Sequence, residues 1–419
     1  MWKPRAGFNR NFRLLWFSVV VSGLGDGLRY VAFPLLASSM TSDPRKIALV
    51  FLADQLPWPL AMIAAGVTAD RFDRRRIMIT LDVARVALVA ALAVVVGLGR
   101  ATLVWIFLVT ALMDLGQRFY IGAAAGLVPM TVPVSRRDKG NAAVQGGSVT
   151  ATLLVGNPLG AILFDMHPVL PFCLDALSFL CSAILLFSMR GRYHATRSPS
   201  RARLSRRMLR RDITDGLHAL GSEPLLRRIT ALSTLYYLVG MSQIAVSILY
   251  TRNELGLSDT GYGLMVATFG AGALIGSVLV GRLAHRAGRG RFLLWALYAA
   301  VVASLGIGLS DTWWQAATFV LLAGASSTVW RVTATTMLQI MVPGHLLGRA
   351  TMTQKLLVRC GAAVGAGLGG IVAHHLGLRW VIYAGATLLL AGTIAGGHRF
   401  ETASATRGPG SEPDGPAAP

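Results

Sequence analysis

Apolar residues in this chain come in long runs and do not alternate with polar ones. Twelve runs of about 20 residues can be drawn, at 12–37, 47–69, 77–98, 102–131, 143–164, 169–189, 229–250, 261–284, 290–309, 313–340, 352–374 and 378–397. A helix of that length crosses the roughly 30 Å hydrocarbon core of a bilayer, whereas barrel strands are shorter and alternate. The pattern predicts an all-α integral membrane protein with 12 transmembrane helices, called spans 1 to 12 in this subsection.

The runs fall into two sets of six. Residues 1–189 form one predicted six-helix bundle and 229–398 a second. Between them, 190–228 is a basic linker with Arg197, Arg201, Arg203, Arg206, Arg207, Arg210 and Arg211. Within it, Asp212 to Leu220 reads as a short amphipathic helix on the membrane surface. The tail at 399–419 is rich in Gly, Pro, Ala and Ser and is expected to be disordered. Gly66 to Arg76 after span 2 and Gly281 to Arg291 after span 8 repeat one design, a small-residue helix end followed by a tight basic loop. Such a repeat points to a duplicated bundle, and paired parallel halves are a known layout of secondary transporters.

Composition supports the membrane reading: the chain is 54% hydrophobic and 14% charged, with a mean hydropathy of +0.57, which excludes an ordinary soluble domain. The net charge of +21 could suggest nucleic acid, but its placement argues for a membrane. Lys3, Arg5, Arg10, Arg71, Arg74, Arg75, Arg76, Arg136, Arg137, Lys139, Arg286, Arg289, Arg291 and Arg349 fall at the N-terminus and in loops after even-numbered spans. The opposite loops hold Arg45, Lys46, Arg100, Arg252 and Arg379. This is the positive-inside bias, and it puts both termini on the cytoplasmic side of a cell inner membrane. Anionic inner-leaflet lipids are the expected partners of these loops, with no nucleic acid. The basic leader of span 1 could belong to a cleaved signal peptide, but Asp26 and Arg29 interrupt its core, so it reads as a retained helix. Cys173, Cys181 and Cys360 read as buried small apolar residues, not as disulfides or metal ligands, and no metal or cofactor is expected.

Particular motifs resemble the major facilitator superfamily. The loop from Gly66 to Arg76 is similar to that family's Gly-x-x-x-Asp-Arg-x-Gly-Arg-Arg signature, with Asp73 at the second glycine. The loop after span 8 keeps that glycine as Gly288 but has His285 at the Asp position. Phe172 to Phe179, Gly261-Tyr262-Gly263-Leu264 and Pro343 to Arg349 resemble the branch of enterobactin-exporter-type and macrolide- or drug-efflux-type carriers. Two signatures depart from the family pattern. Span 5 reads Gly156-Asn157-Pro158-Leu159-Gly160-Ala161 where exporters have Gly-Pro-x-x-Gly-Gly, and span 4 has Arg118-Phe119-Tyr120-Ile121-Gly122 for Arg-x-x-Gln-Gly. The resemblance implies a cytoplasmic gate at Gly66, Asp70, Arg71, Arg75, Gly281, His285, Arg286 and Arg289, with Asp70 latching the outward-facing state. It also implies that spans 1, 4, 7 and 10 line a central cavity, which places Gln117, Tyr236, Tyr237, Gln243, Trp330 and Arg331 in its wall.

An ionisable side chain at mid-bilayer costs roughly 2.5–3.5 kcal/mol or more and needs a partner or a watery cavity. Asp26 and Arg29 are spaced i, i+3 in span 1, and Asp114 and Arg118 i, i+4 in span 4, so each pair can share a helix face. Two roles are open: ion pairs that only fix packing, or proton-coupling groups. Asp26 is the first choice for coupling, because Gly25 and Gly27 should loosen the helix around it and admit water or ligand. Asp82 and Arg85 read as part of the basic loop before span 3. Glycines in spans 5, 8 and 11 permit close helix contact, as ordinary packing or as the seam on which two halves rock.

These residues point to a secondary active transporter, exporting a small hydrophobic drug, siderophore or secondary metabolite in exchange for protons by alternating access. An importer of the same fold is the alternative that the altered span 5 keeps open. No Asp-rich metal and pyrophosphate motif, His-Glu-x-x-His or Walker loop is present, which argues against a lipid-modifying enzyme and against ATP drive by this chain. One chain holds both halves, so a monomer suffices.

Overall fold

The computed structural model describes residues 8–55, 57, 72–191, 193 and 206–397. Its helices are α1 (Arg10–Met40), α2 (Pro44–Gln55), α3 (Arg74–Gly97), α4 (Leu103–Thr131), α5 (Val134–Met166), α6 (Leu170–Phe187), α7 (Arg206–Ser222), α8 (Pro224–Asn253), α9 (Asp259–Ala287), α10 (Arg289–Leu309), α11 (Trp313–Met341), α12 (Gly344–Leu376) and α13 (Leu378–Gly397). No strand occurs among the described residues. Ten of these helices are long and apolar enough to cross a membrane. α2 covers the start of span 2, and the rest of that span lies outside the described residues. α11 has 29 residues, ample for a crossing, but its polar positions keep it out of the ten.

Local chemistry sets several helix ends. The Asn9 side chain accepts from the Phe12 amide at 2.8 Å and opens α1, as an N-cap should. Asp73, at the position where the resembled signature has glycine, accepts from the Arg76 amide at 3.1 Å to open α3 and from the Tyr193 amide at 3.0 Å. At the start of α11, Gln315 Oε1 reaches back to accept from the Thr312 amide at 3.3 Å and the Asp311 amide at 3.2 Å. Within α5, residues Thr150–Gly156 widen into a π-helical stretch, and the Asn157 amide bonds back to Thr152 O. Pro158 explains this: its nitrogen has no hydrogen to donate and its ring crowds the carbonyl one turn back, so the ladder slips to the wider register.

The helices cluster into two compact units. The first holds residues 1–203, 241–270 and 363–381; the second holds 204–240, 271–362 and 382–419. In the first, α1 packs on α5 and α6, α3 on α4 and α6, and α2 on α4. Its core includes Phe33, Leu36, Ile47, Phe51, Leu92, Met113, Phe172 and Phe179, joined by Ile248, Leu249 and Tyr262. In the second, α10 packs on α11, around Leu232, Leu293, Leu297, Val329 and Trp330.

Glycine places the closest contacts. A Cβ on Gly263 would lie 2.2 Å from Ala161 Cβ and one on Gly270 3.0 Å from Leu153 Cβ, so α9 meets α5 along small residues. α12 meets α8 at Gly369 against Ser242, and α2 at Gly370 against Ala48. Spans 5 and 8 therefore touch through glycines, while span 11 pairs with spans 7 and 2.

Two expectations are corrected. Cys173 and Cys360 are exposed on the helix surface and Cys181 is half-buried, and all three are free; they are not packed in the interior. The linker helix α7 is longer than Asp212 to Leu220, and it docks on protein. Gly216 lies against Thr353 and the Arg349 carbonyl, and Arg349 pairs with Asp212 at 2.9 Å and Asp215 at 2.8 Å.

Candidate transport site

The middle of α1 is held from two sides, and this placement builds the main charged site. On the α5 side, Thr152 Oγ1 donates to Gly23 O at 2.8 Å. The Asn157 side-chain nitrogen, with the carboxamide turned to satisfy its neighbours, donates to Thr152 O and Gly27 O, each at 3.1 Å. A Cβ on Gly27 would come 2.4 Å from Thr152 O, and one on Gly160 2.5 Å from Leu28 O. On the α6 side, a Cβ on Gly25 would come 2.0 Å from Ser178 Oγ and 2.3 Å from Asp175 Oδ1. Gly25 and Gly27 thus admit neighbouring helices, not water or ligand, which corrects the looser α1 expected from sequence.

That close fit brings a third charge to the predicted pair. Arg29 Nη2 bonds Asp26 Oδ1 at 2.7 Å, while its Nε lies 3.4 Å from Asp175 Oδ2. The guanidinium also sits over the Phe33 ring, 5.5 Å from its centroid. Asp26 and Arg29 keep 12% of their side-chain surface exposed but Asp175 keeps none, so only the first two can meet water directly. Neither Asp175 oxygen accepts a hydrogen bond among the described residues. Two carboxylates therefore share one guanidinium in an apolar surrounding. Asp175 is not among the site residues the sequence predicts, although it is a lone carboxylate inside the apolar run of span 6.

A second network joins α3, α4 and α6. Asp82 accepts from Ser182 at 2.7 Å, and Ser182 lies 3.3 Å from Tyr120 Oη. Arg85 donates to Gln117 at 2.7 Å and sits 5.0 Å over the Tyr120 ring and 5.2 Å over Phe179. Asp82 and Arg85 are fully buried inside the first unit, so they do not belong with the basic loop. Gln117, assigned to the cavity wall by resemblance, is engaged by Arg85. Asp114 and Arg118 pair along α4 as their spacing predicted.

In the second unit, Tyr236 stacks on Trp330 with centroids 6.0 Å apart and an interplanar angle of 6°, and meets Tyr237 edge-on. Trp330 is 1% exposed and packed in the core around Leu293 and Leu297, so its side chain is covered by protein and not open to a cavity. Arg331, its neighbour, is exposed, and Tyr237 is half-buried. Gln243, further along α8, is grouped with the first unit.

Of the residues assigned to the cytoplasmic gate, Gly66, Asp70 and Arg71 lie outside the described residues, as do the side chains of His285 and Arg286. Arg75 donates to Leu186 O at 2.7 Å and Phe187 O at 2.6 Å, which closes the C-terminal end of α6. Gly281 is exposed in α9 with open space at its Cβ position, and Arg289 opens α10.

A rim of polar ties gathers at the other helix ends of the first unit. Arg252 pairs with Asp259 and donates to Ser38 Oγ at 2.9 Å; Thr260 donates to Asp165 at 2.9 Å. Arg379 pairs with Glu254 at 2.8 Å, and His374 lies 3.7 Å from Asp43. The Arg45 side chain, hydrogen-bonded to Asp43, pulls that carboxyl down to about 2. A depressed carboxyl contributes its stabilisation above the ordinary carboxyl range and loses it only as pH falls toward the lowered value. Asp43 therefore stays charged near neutrality.

Among the described residues, ten helices long and apolar enough to cross a membrane, with charge enclosed among them, define a multi-pass membrane protein with a functional site in its interior. Residues 4–407 match the family described as Transmembrane secretion effector, and the chain belongs to that family of the major facilitator superfamily, whose members are transporters and not enzymes. Multidrug resistance protein MdtG of Proteus mirabilis (strain HI4320) is 24% identical over 412 residues, covering 96% of this chain and 98% of that protein. Multidrug efflux pump Tap of Mycolicibacterium fortuitum is 23% identical over 395 residues, covering 91% and 94%. Among solved structures, a bacterial homologue of the iron transporter ferroportin in an inward-facing state has a TM-score of 0.72 at 16% identity, over 95% of this chain and 99% of its own. A bacterial homologue of the human lysosomal transporter Spinster has a TM-score of 0.71 at 15% identity, over 97% and 100%. These two share the fold.

Proposed function

We propose that this protein exports a small hydrophobic molecule from the cytoplasm in exchange for protons, by alternating access between two six-helix halves of 12 spans. In this reading it lies in the cytoplasmic membrane as a monomer with both termini inside, its basic loops against anionic lipid. The observation that carries proton exchange is the Asp26–Arg29–Asp175 arrangement, with two carboxylates and one cation enclosed together. An unbalanced charge in an apolar interior is costly, so a proton that enters with one conformation and leaves with the other restores balance and couples to the cycle. Asp114 beside Arg118 is a second place for such exchange. The efflux direction and a drug-like substrate are supported by relatives named for multidrug resistance and efflux.

The test is energised dye efflux from a pump-deficient host, and from vesicles of either orientation, with and without a protonophore. Wild type should lose accumulation-driven efflux when the proton gradient collapses, and Asp26→Asn should no longer respond to it. Efflux indifferent to both treatments would count against proton drive through Asp26, and uptake in right-side-out vesicles against export.

The rim at Arg252 serves as the outer gate in this reading. Each partly exposed ion pair is worth about 1 kcal/mol or less. Arg252→Ala should therefore raise labelling of a cysteine placed at Ala48, by an impermeant thiol reagent added outside, about fivefold. The background needs Cys173 and Cys360 replaced by serine, because both are exposed. Unchanged labelling would show that these ties do not hold the outer side shut.

A further inference from the structure

The second half of the chain carries a different charge chemistry from the first. Between Pro224 and Gly397 the acidic residues are Glu254, Asp259 and Asp311, all at helix ends or connections. Glu254 and Asp259 are occupied by Arg379 and Arg252. Well inside the helices stand the cations Arg331 on α11 and Lys355 and Arg359 on α12. Arg331 and Arg359 both lie within electrostatic reach of the Tyr237 hydroxyl on α8, so three helices of the second unit bring these groups together.

Two observations say that this wall faces water. Ser327, Arg331, Thr335 and Gln339 follow one another at every fourth position of α11 and so form one stripe. Arg331, Thr335 and Gln339 are exposed and Ser327 is half-buried, so the stripe does not face protein. A polar stripe with a charge at its centre is too costly to set against lipid tails. The aromatic support behind it is rigid, because Trp330 is packed in the core and stacked on Tyr236. Arg331 pairs with no carboxylate among the described residues.

We infer that the second half holds a subsite for an anionic group, a carboxylate or similar oxyanion, on an aromatic or otherwise apolar substrate. Arg331 supplies the charged donors, Arg359 adds positive field, Tyr237 offers a hydroxyl, and the Ser327–Gln339 stripe keeps the path wet. This substrate class rests on the transporter reading above and narrows it. Guanidinium donors fit planar carboxylates through paired hydrogen bonds.

The test compares three pyrene probes of similar size, 1-pyrenebutyrate, 1-pyrenebutanol and 1-pyrenemethylamine. They are titrated against the full-length protein in nanodiscs, with empty nanodiscs subtracted. Wild type should bind the carboxylate about 10-fold more tightly than the alcohol, as expected for a hydrogen bond to a charged group. Arg331→Gln should bring the two within about 2-fold while leaving the alcohol unchanged, and Arg331→Lys should keep part of the difference. The exposed position of Arg331 makes both variants foldable, and unchanged thermal unfolding checks this. Equal binding of carboxylate and alcohol, tighter binding of the amine, no saturable binding by any probe, or a charge preference that survives Arg331→Gln would each overturn the inference. A failure of proton coupling would appear instead in the protonophore assay and would leave this binding ratio unchanged.

Discussion

Replacing Arg29 with alanine should destabilise the first unit by about 3–5 kcal/mol, the usual cost of removing one member of a buried ionic group. The reason is the position of its partners: Asp26 at 2.7 Å and the wholly enclosed Asp175 at 3.4 Å would be left with no cation between them. Thermal unfolding of the purified protein should show the loss as a large fall in midpoint and in folded yield. The double variant Arg29→Ala with Asp175→Asn should recover a substantial part of it, because the uncompensated buried carboxylate is then gone. Asp26→Asn alone should be much milder, since Arg29 and Asp175 would remain a balanced pair. If the double variant is no more stable than the single one, Asp175 is not part of the charged group.

Gly27→Ala should be comparably severe, although it adds only a methyl group. Its Cβ would sit 2.4 Å from Thr152 O and 2.8 Å from Gly156 Cα, both backbone atoms of α5. Overpacking a close contact typically costs 1–3 kcal/mol, and backbone cannot turn aside as a side chain can. We expect about 3 kcal/mol or loss of the folded form, together with loss of transport, because the same displacement carries Asp26 and Arg29 away from α6. Gly146→Ala, on the exposed part of α5 with open space at its Cβ position, is the matched control. It should be neutral, or slightly stabilising through better helix propensity. Equal behaviour of the two variants would mean that α1 is not held by this contact.

Much of the architecture was legible before any coordinates. Span positions followed from run length, because lipid leaves a backbone no partner but itself and thereby enforces long apolar helices. Ion pairs on one helix, Asp26 with Arg29 and Asp114 with Arg118, followed from spacing alone. The lapses share a cause. Gly25 and Gly27 were read as slack in α1, Asp82 and Arg85 as loop residues, Trp330 as cavity wall and the cysteines as interior. In each case the sequence shows the residue type, but which face of its helix meets a neighbour depends on helix rotation and on partners far along the chain. Asp73 is a related case: it stands where the resembled signature has glycine, and the structure shows it capping α3 and accepting from the Tyr193 amide.

What the sequence determined by itself is an all-helical membrane protein. That property comes from the solvent, since hydrocarbon selects helix length. Only the tertiary structure decided that Arg29 is shared with Asp175, that Asp82 and Arg85 lie in the interior, and that the stripe through Arg331 stays uncovered. Those outcomes depend on which helix faces come together. At the α1 contacts with α5 and α6 the deciding factor is steric, because glycine there lets backbones approach to distances no other residue allows.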